Sequence, residues 1–242
     1  LHIVLLLFLT VLPARSETLN ILTEELMPYN YTDSATGKPV GFAVDIVQSL
    51  LKRTGIKPAR GAIQVFPWVR AYKMLERNKN TLLFLMARSD SRKDLFKWVG
   101  PIAPRHIWFW KLKLRKDVIA NTIEDVKKYR VAGAIGFATS VYLESLGFRL
   151  EYVSSPRLAF LMLVHQRVEF FTGTDLIAAF YMKDIGRSFS GLEKMVSLDS
   201  RYDYYLALNR ETSDSIVEKL QNALGRMKED GAYEKIRLRY LK

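Results

Sequence analysis

Residues 18–55 read TLNILTEELMPYNYTDSATGKPVGFAVDIVQSLLKRTG, and the order of their patterns decides the fold class. Leu19-Asn20-Ile21-Leu22 is a short, mostly apolar run of strand length. A polar loop follows from Pro28 to Gly41; then Val44, Val47, Leu50 and Leu51 recur at helical spacing until Gly55 stops the helix. The same alternation continues outward. Residues 62–66 are strand-like, residues 69–76 set Val69, Tyr72, Met74 and Leu75 in a second helix, and residues 81–86 form an apolar run of strand length. Thr122 followed by Asp125 resembles a capping box, residues 130–135 form a strand, and Gly136 turns the chain into a helix over 140–146. Helices over 158–164 and 176–182 flank a short strand at 168–171, and residues 204–208 form the one strand predicted for the last third. An amphipathic helix then gathers Ile216, Leu220, Ala223, Leu224 and Met227 on one face, and a final helix carries Tyr233, Ile236 and Tyr240. Alternating strands and helices predict α/β architecture with mostly parallel strands in two lobes. Solutes of such sheets bind at the carboxyl ends of strands, so a cleft between lobes is the expected site.

The chain has 242 residues, 49% hydrophobic and 26% charged, which is the composition of a folded globular protein and not of a disordered one. Its first twelve residues, LHIVLLLFLTVL, precede Pro13-Ala14-Arg15-Ser16. That run is too short to span a bilayer and predicts a signal peptide over 1–16, cut near Ser16–Glu17, with the rest delivered to the periplasm. The absence of cysteine excludes disulfides, thiol catalysis and cysteine metal sites, and suits a periplasmic protein that rests on its core alone. A net charge of +12 raises nucleic acid as a partner. The basic residues are nevertheless spread along the chain and mixed with acids, as in Glu218-Lys219 and Lys228-Glu229-Asp230, which predicts a solvated basic face that draws anionic solutes.

Four motifs in order carry a resemblance. Pro28-Tyr29-Asn30-Tyr31, Gly37 and Gly41-Phe42-Ala43-Val44-Asp45 come first; Ser89-Asp90-Ser91-Arg92 follows, then Phe96 with Gly100-Pro101. The tail supplies Gly231-Ala232-Tyr233 with Ile236 and Tyr240. Over residues 18–242 the chain resembles the periplasmic solute-binding proteins of the polar amino-acid ABC uptake family. The resemblance implies a two-lobed Venus-flytrap fold with two hinge crossovers, near 105–108 and 197–202. Residues 17–105 plus 201–242 would form the first lobe and 106–200 the second. It also implies a monomer without cofactor, whose partners are a small-molecule ligand and the membrane permease of an ABC importer, and not nucleic acid.

Arg92 matches the family arginine that holds a ligand carboxylate; its planar guanidinium offers the paired donors that a lysine lacks. Gly136-Phe137-Ala138-Thr139 lies where a strand turns into a helix, so the backbone at Ala138 and Thr139 is a candidate anion contact. Asp175 matches the acid that accepts an α-ammonium group, with Thr174 the alternative in that register. Trp68 matches the aromatic wall of the side-chain pocket, Tyr29 a second wall, and Arg70 is a further basic candidate. Glu24, Glu25 and Arg88 also lie near the cleft, where surface charge is the default reading. The strand before Arg92 reads Leu85-Met86-Ala87-Arg88 where amino-acid binders carry serines, which favours a carboxylate ligand over an α-amino acid as such.

Three histidines, His2, His106 and His165, have no partner at metal-ligand spacing, and no G-x-S-x-G elbow occurs. The expected function is therefore binding without catalysis or metal: capture of a small polar, carboxylate-bearing solute for an ABC importer. A periplasmic sensor that partners a membrane receptor, and a dehydratase-like enzyme on the same fold, are the alternatives.

Overall fold

Leu19, Ile21 and Leu22 are fully buried, and the strand they form seeds the larger sheet of the computed structural model. The structure describes residues 18–199 and 201–240, so the predicted signal peptide lies outside the described residues. In chain order the elements are β1 (Thr18–Thr23), β2 (Tyr31–Thr32), β3 (Pro39–Val40), α1 (Phe42–Thr54), β4 (Lys57–Pro58), β5 (Gln64–Val65), α2 (Trp68–Arg77), β6 (Thr81–Ala87) and β7 (Lys97–Ala103). There follow β8 (Ile107–Leu112), α3 (Ile123–Val126), β9 (Val131–Ala134), α4 (Ala138–Ser145), β10 (Leu150–Val153), α5 (Pro156–Val164), β11 (Phe171–Gly173) and α6 (Asp175–Asp184). The chain ends with β12 (Leu192–Asp199), β13 (Tyr204–Leu208), α7 (Asp214–Glu229) and α8 (Ala232–Tyr240).

Two lobes result. The first is built on a six-stranded sheet in which β1 pairs in parallel with β4, β5 and β6, joined by helical crossovers. β13 returns from the far end of the chain to run antiparallel between β6 and β7. The second lobe sets β8 between antiparallel β11 and β12, beside the parallel pair β9 and β10. The chain leaves the six-stranded sheet after β7 and re-enters it at β13.

Most predicted elements are present, including the Thr122–Asp125 capping box and the buried stripe of α7. The structure shifts two strands. The 62–66 strand pairs at Gln64–Val65 alone, and the 168–171 strand lies at Phe171–Gly173 because the amides of Glu169 and Phe170 both turn to the Arg130 carbonyl. The strands β7, β8, β10 and β12 carry no clean apolar alternation; they are held by their neighbours in the sheets.

Gly41 fixes how the first loop meets α1. Its φ is 120°, and a Cβ there would sit 2.5 Å from the Tyr29 carbonyl oxygen. The close approach lets the Ala43 amide donate to that oxygen at 2.7 Å, docking the loop on the helix start and turning Tyr29 inward. Gly41→Ala is expected to lose about 2–3 kcal/mol of unfolding free energy in urea titration. Gly37→Ala, whose Cβ meets nothing within 4 Å, is the control and should lose only about 1 kcal/mol.

Candidate functional site

β6 is buried along its whole length, and at Leu85 it takes a φ of 63° opposite a register shift between Tyr205 and Leu206. The extra residue is a β-bulge, a device that re-aims side chains beside functional sites. Leu85 and Ala87 consequently wall a cavity between the lobes, apolar where the family pattern places serines. The turn beyond folds back, with the Arg92 and Lys93 amides both donating to the Ser89 carbonyl at 2.9 Å. Arg92 thereby returns under α2, where it is 8% exposed.

Its guanidinium stacks 5.0 Å from the Trp68 ring centre and 5.3 Å from that of Tyr72. Burial pulls its pKa below the ordinary arginine value while Tyr72 and Glu24 oppose the shift; it stays cationic. Trp68 opens α2 and belongs to its buried stripe with Ala71 and Leu75. From the opposite lobe, the Gly136 carbonyl accepts from Trp68 Nε1 at 2.8 Å and from the Arg92 guanidinium at 3.0 Å. Gly136 has a φ of 77°, and a Cβ there would press on the indole at 3.1 Å. Phe137 follows and packs its ring 5.4 Å from that of Trp68. α4 begins at the next residue, so Ala138 and Thr139 reach the cavity, and Thr139 Oγ1 accepts from Arg105 at 2.6 Å.

Two charged residues complete the site that the sequence reading left outside it. Arg105 stands at the first crossover and is 2% exposed. Glu24 leaves the carboxyl end of β1 at 3% exposure, in a loop tightened by the Asn30 side-chain amide, which donates to the Glu24 carbonyl at 2.7 Å. Burial pushes its carboxyl well above the usual carboxylate range, against the pull of Arg92 and with a small push from Glu25. The position of Glu24 directly after a strand carried a signal, since parallel sheets bind ligands at that end. Arg105 carried none, because its burial depends on the second lobe.

Glu24, Trp68, Arg92, Arg105, Ala138 and Thr139 line a cavity of about 30 Å³. A neighbouring pocket of about 310 Å³ shares Arg92, Arg105 and Ala138, and adds Arg201 and Tyr202. At about 30 Å³ the inner cavity holds a water-sized group, so admitting a solute requires the lobes to part.

Three expected contacts lie elsewhere. Arg70 is off the buried stripe of α2, exposed, with its guanidinium 4.4 Å from the Phe66 ring centre. Asp175 takes the first position of α6 with its side chain half exposed and ion-paired to Lys194 on β12. Thr174, the alternative, is buried; it caps α6 through the Ile177 amide and meets the Tyr29 hydroxyl at 3.5 Å. Tyr29, Thr174 and Asp175 border a separate pocket of about 520 Å³ beside the first crossover, with Phe42, Tyr233 and Tyr240. Among the described residues no group of histidines and acids is placed to hold a metal ion.

The model of bacterial extracellular solute-binding proteins, family 3, matches residues 19–242. No curated protein matches the chain. A histidine kinase sensor domain with similarity to periplasmic binding proteins superposes with a TM-score of 0.82 at 17% identity, covering 94% of this chain and 98% of that one. An ancestral arginine-binding protein bound to arginine gives 0.80 at 23% identity, covering 94% and 99%. The GluR0 ligand-binding core from Nostoc punctiforme, in complex with L-glutamate, gives 0.79 at 18% identity, covering 92% and 99%. At these identities the likeness is one of fold.

Trp68→Phe keeps the aromatic wall but deletes the donor to Gly136. It should weaken the closed arrangement by about 1 kcal/mol, roughly a fivefold drop in the closed-to-open ratio. Small-angle scattering of the solute-free protein should show a larger radius of gyration for the variant; superimposable curves would show that this bond does not hold the lobes.

Proposed function

The chain belongs to family 3 of the bacterial extracellular solute-binding proteins, and from that premise we propose that it captures a small carboxylate-bearing solute in the periplasm for an ABC importer. The observation that carries this proposal is the buried, stacked Arg92 guanidinium at a cavity between the lobes, facing the start of α4. Stacking on Trp68 and Tyr72 fixes the plane of the fork, and a carboxylate can replace the Gly136 carbonyl with two parallel charge-assisted bonds. The amides at Ala138 and Thr139 and the guanidinium of Arg105 add positive potential to the same point. Leu85, Ala87 and Trp68 offer an apolar wall for the solute's carbon skeleton.

On this proposal residues 17–105 with 201–242 move as one unit and 106–200 as the other, hinged at the two crossovers. The protein acts as a monomer, and the closed form is what the permease receives. The role is binding and not catalysis: no residue is assigned to a reaction. A second reading, presentation of the closed lobes to a membrane receptor, is favoured by the likeness to the histidine kinase sensor domain. A permease and an ATPase encoded beside the gene would support transport; a receptor gene in that place would support sensing.

A thermal-shift screen of amino acids, dicarboxylates and polyamines identifies the best solute through the rise it causes in the melting temperature. Titration calorimetry with that solute should then show Arg92→Ala weakened about 100-fold, with Arg92→Lys recovering only a small part of the loss. Affinity unchanged in Arg92→Ala removes the carboxylate grip from the proposal.

A further inference from the structure

Along β6, Leu82 and Phe84 pack with α1 and α7 whereas Leu83 packs with α2, so these helices cover opposite faces of the first sheet. The inner cavity lies on the α2 side, where Trp68 lines it. The pocket of about 520 Å³ lies on the other side, lined by Phe42 of α1 and by Tyr233 and Tyr240 of α8. At the first crossover Arg105 turns to the inner cavity, and its neighbours Pro104 and His106 turn to the pocket. Tyr204 borders the inner cavity and Tyr29 the pocket, and their rings, 5.6 Å apart, form the partition.

The far wall of the pocket comes from the second lobe, through Leu176 and Ala179 of α6 and through Phe189. The strands that carry the chain across are neighbours at both ends. Ala103 pairs with Tyr204 in the first sheet, and Ile107 pairs with Asp199 in the second. Rotation about the line joining the two crossovers narrows one side as it widens the other. Parting the lobes over the inner cavity therefore drives Phe42 and α8 towards α6 and Phe189.

The charges that border the pocket are already matched: Asp175 pairs with Lys194, and Arg237 donates to Glu234 at 2.6 Å. The Tyr233 hydroxyl donates to the Ile102 carbonyl at 2.8 Å and that of Tyr240 to Asp45 at 2.7 Å, which leaves their rings as wall. An ion entering here meets no unmatched counter-charge, whereas a flat uncharged ring meets aromatic faces and edges. His106 and Thr174 add polar points for a single N–H or O–H.

If the lobes hinge at the two crossovers, as proposed above, we propose that this pocket is a second binding site, for an uncharged aromatic molecule of the phenol or indole kind. Its occupant is a wedge that holds the lobes closed over the inner cavity. Because it binds the closed form better than the open one, it tightens capture of the solute, and the solute tightens its binding by the same factor.

Indole is the probe; tryptamine, which adds a charge, and cyclohexanol, which lacks the flat ring, are the controls. Calorimetry on the solute-free protein should show indole binding at least about tenfold tighter than either control. Small-angle scattering at saturating indole should show a smaller radius of gyration, in the parent or in the more open Trp68→Phe. Ala179→Trp fills the pocket from α6, so it should abolish indole binding and contract the solute-free protein by itself. Phe189→Ala removes one wall and should weaken indole about fivefold without contraction; it decides should Ala179→Trp not fold. Saturating indole should tighten the best solute about fivefold. No binding of indole, equal binding of the controls, or indole affinity unchanged in both pocket variants overturns the site. Indole binding that leaves the scattering curves of parent and Trp68→Phe superimposable overturns the wedge. Contraction by indole in a protein that binds no carboxylate solute sinks solute capture alone, and leaves the second site standing.

Discussion

The carbonyl oxygen of Gly136 receives two donors from the opposite lobe, the Trp68 indole at 2.8 Å and the Arg92 guanidinium at 3.0 Å. Much else follows from that shared acceptor. It gives a buried cation a partial counter-charge without a carboxylate, which keeps Arg92 tolerable at 8% exposure. It also brings Phe137 against the ring of Trp68, so polar and apolar contacts between the lobes are made together. The geometry favours glycine at 136, because a side chain at a φ of 77° is strained and its Cβ would press on the indole at 3.1 Å.

Around this point the chain concentrates charge where water is scarce. Arg92 and Arg105, from either side of β7, and Glu24, from the far end of the first sheet's opening strand, converge on a cavity of about 30 Å³. In such surroundings each charge interacts more strongly than at the surface, and an unmatched one is more expensive. Arg105 donates to Thr139 across the lobes and Arg92 to Gly136, so closure gives each cation an acceptor from the opposite lobe. Glu24 is the member that closure leaves without a hydrogen-bonding partner among the described residues, and its environment favours the neutral form. The bulge at Leu85 adds an apolar wall, which leaves recognition of a solute to the charged groups and the start of α4.

The sequence by itself determined the alternation of strands and helices, the apolar stripe of α7, the capping box at Thr122 and the motifs around Gly41, Arg92 and Tyr233. These are local or short-range patterns, set by periodicity and by backbone constraints that act within a few residues. The burial of Arg92 and Trp68 and their meeting at Gly136 depend on residues 44 and 68 positions apart, and belong to the tertiary structure. So do the exclusion of Arg70 and Asp175 from the cavity and the inclusion of Glu24 and Arg105. Arg70 differs from Trp68 by two helix positions, which is enough to turn it to solvent. Asp175 differs from Thr174 by one residue at a helix start, and the inward place goes to the capping threonine. Whether a charge is a surface ornament or a buried recognition group depends on what packs over it, and for Glu24 and Arg105 the cover comes from elements more than thirty residues away. Sequence spacing carries no measure of that distance in space, which is why only the folded chain could assign them.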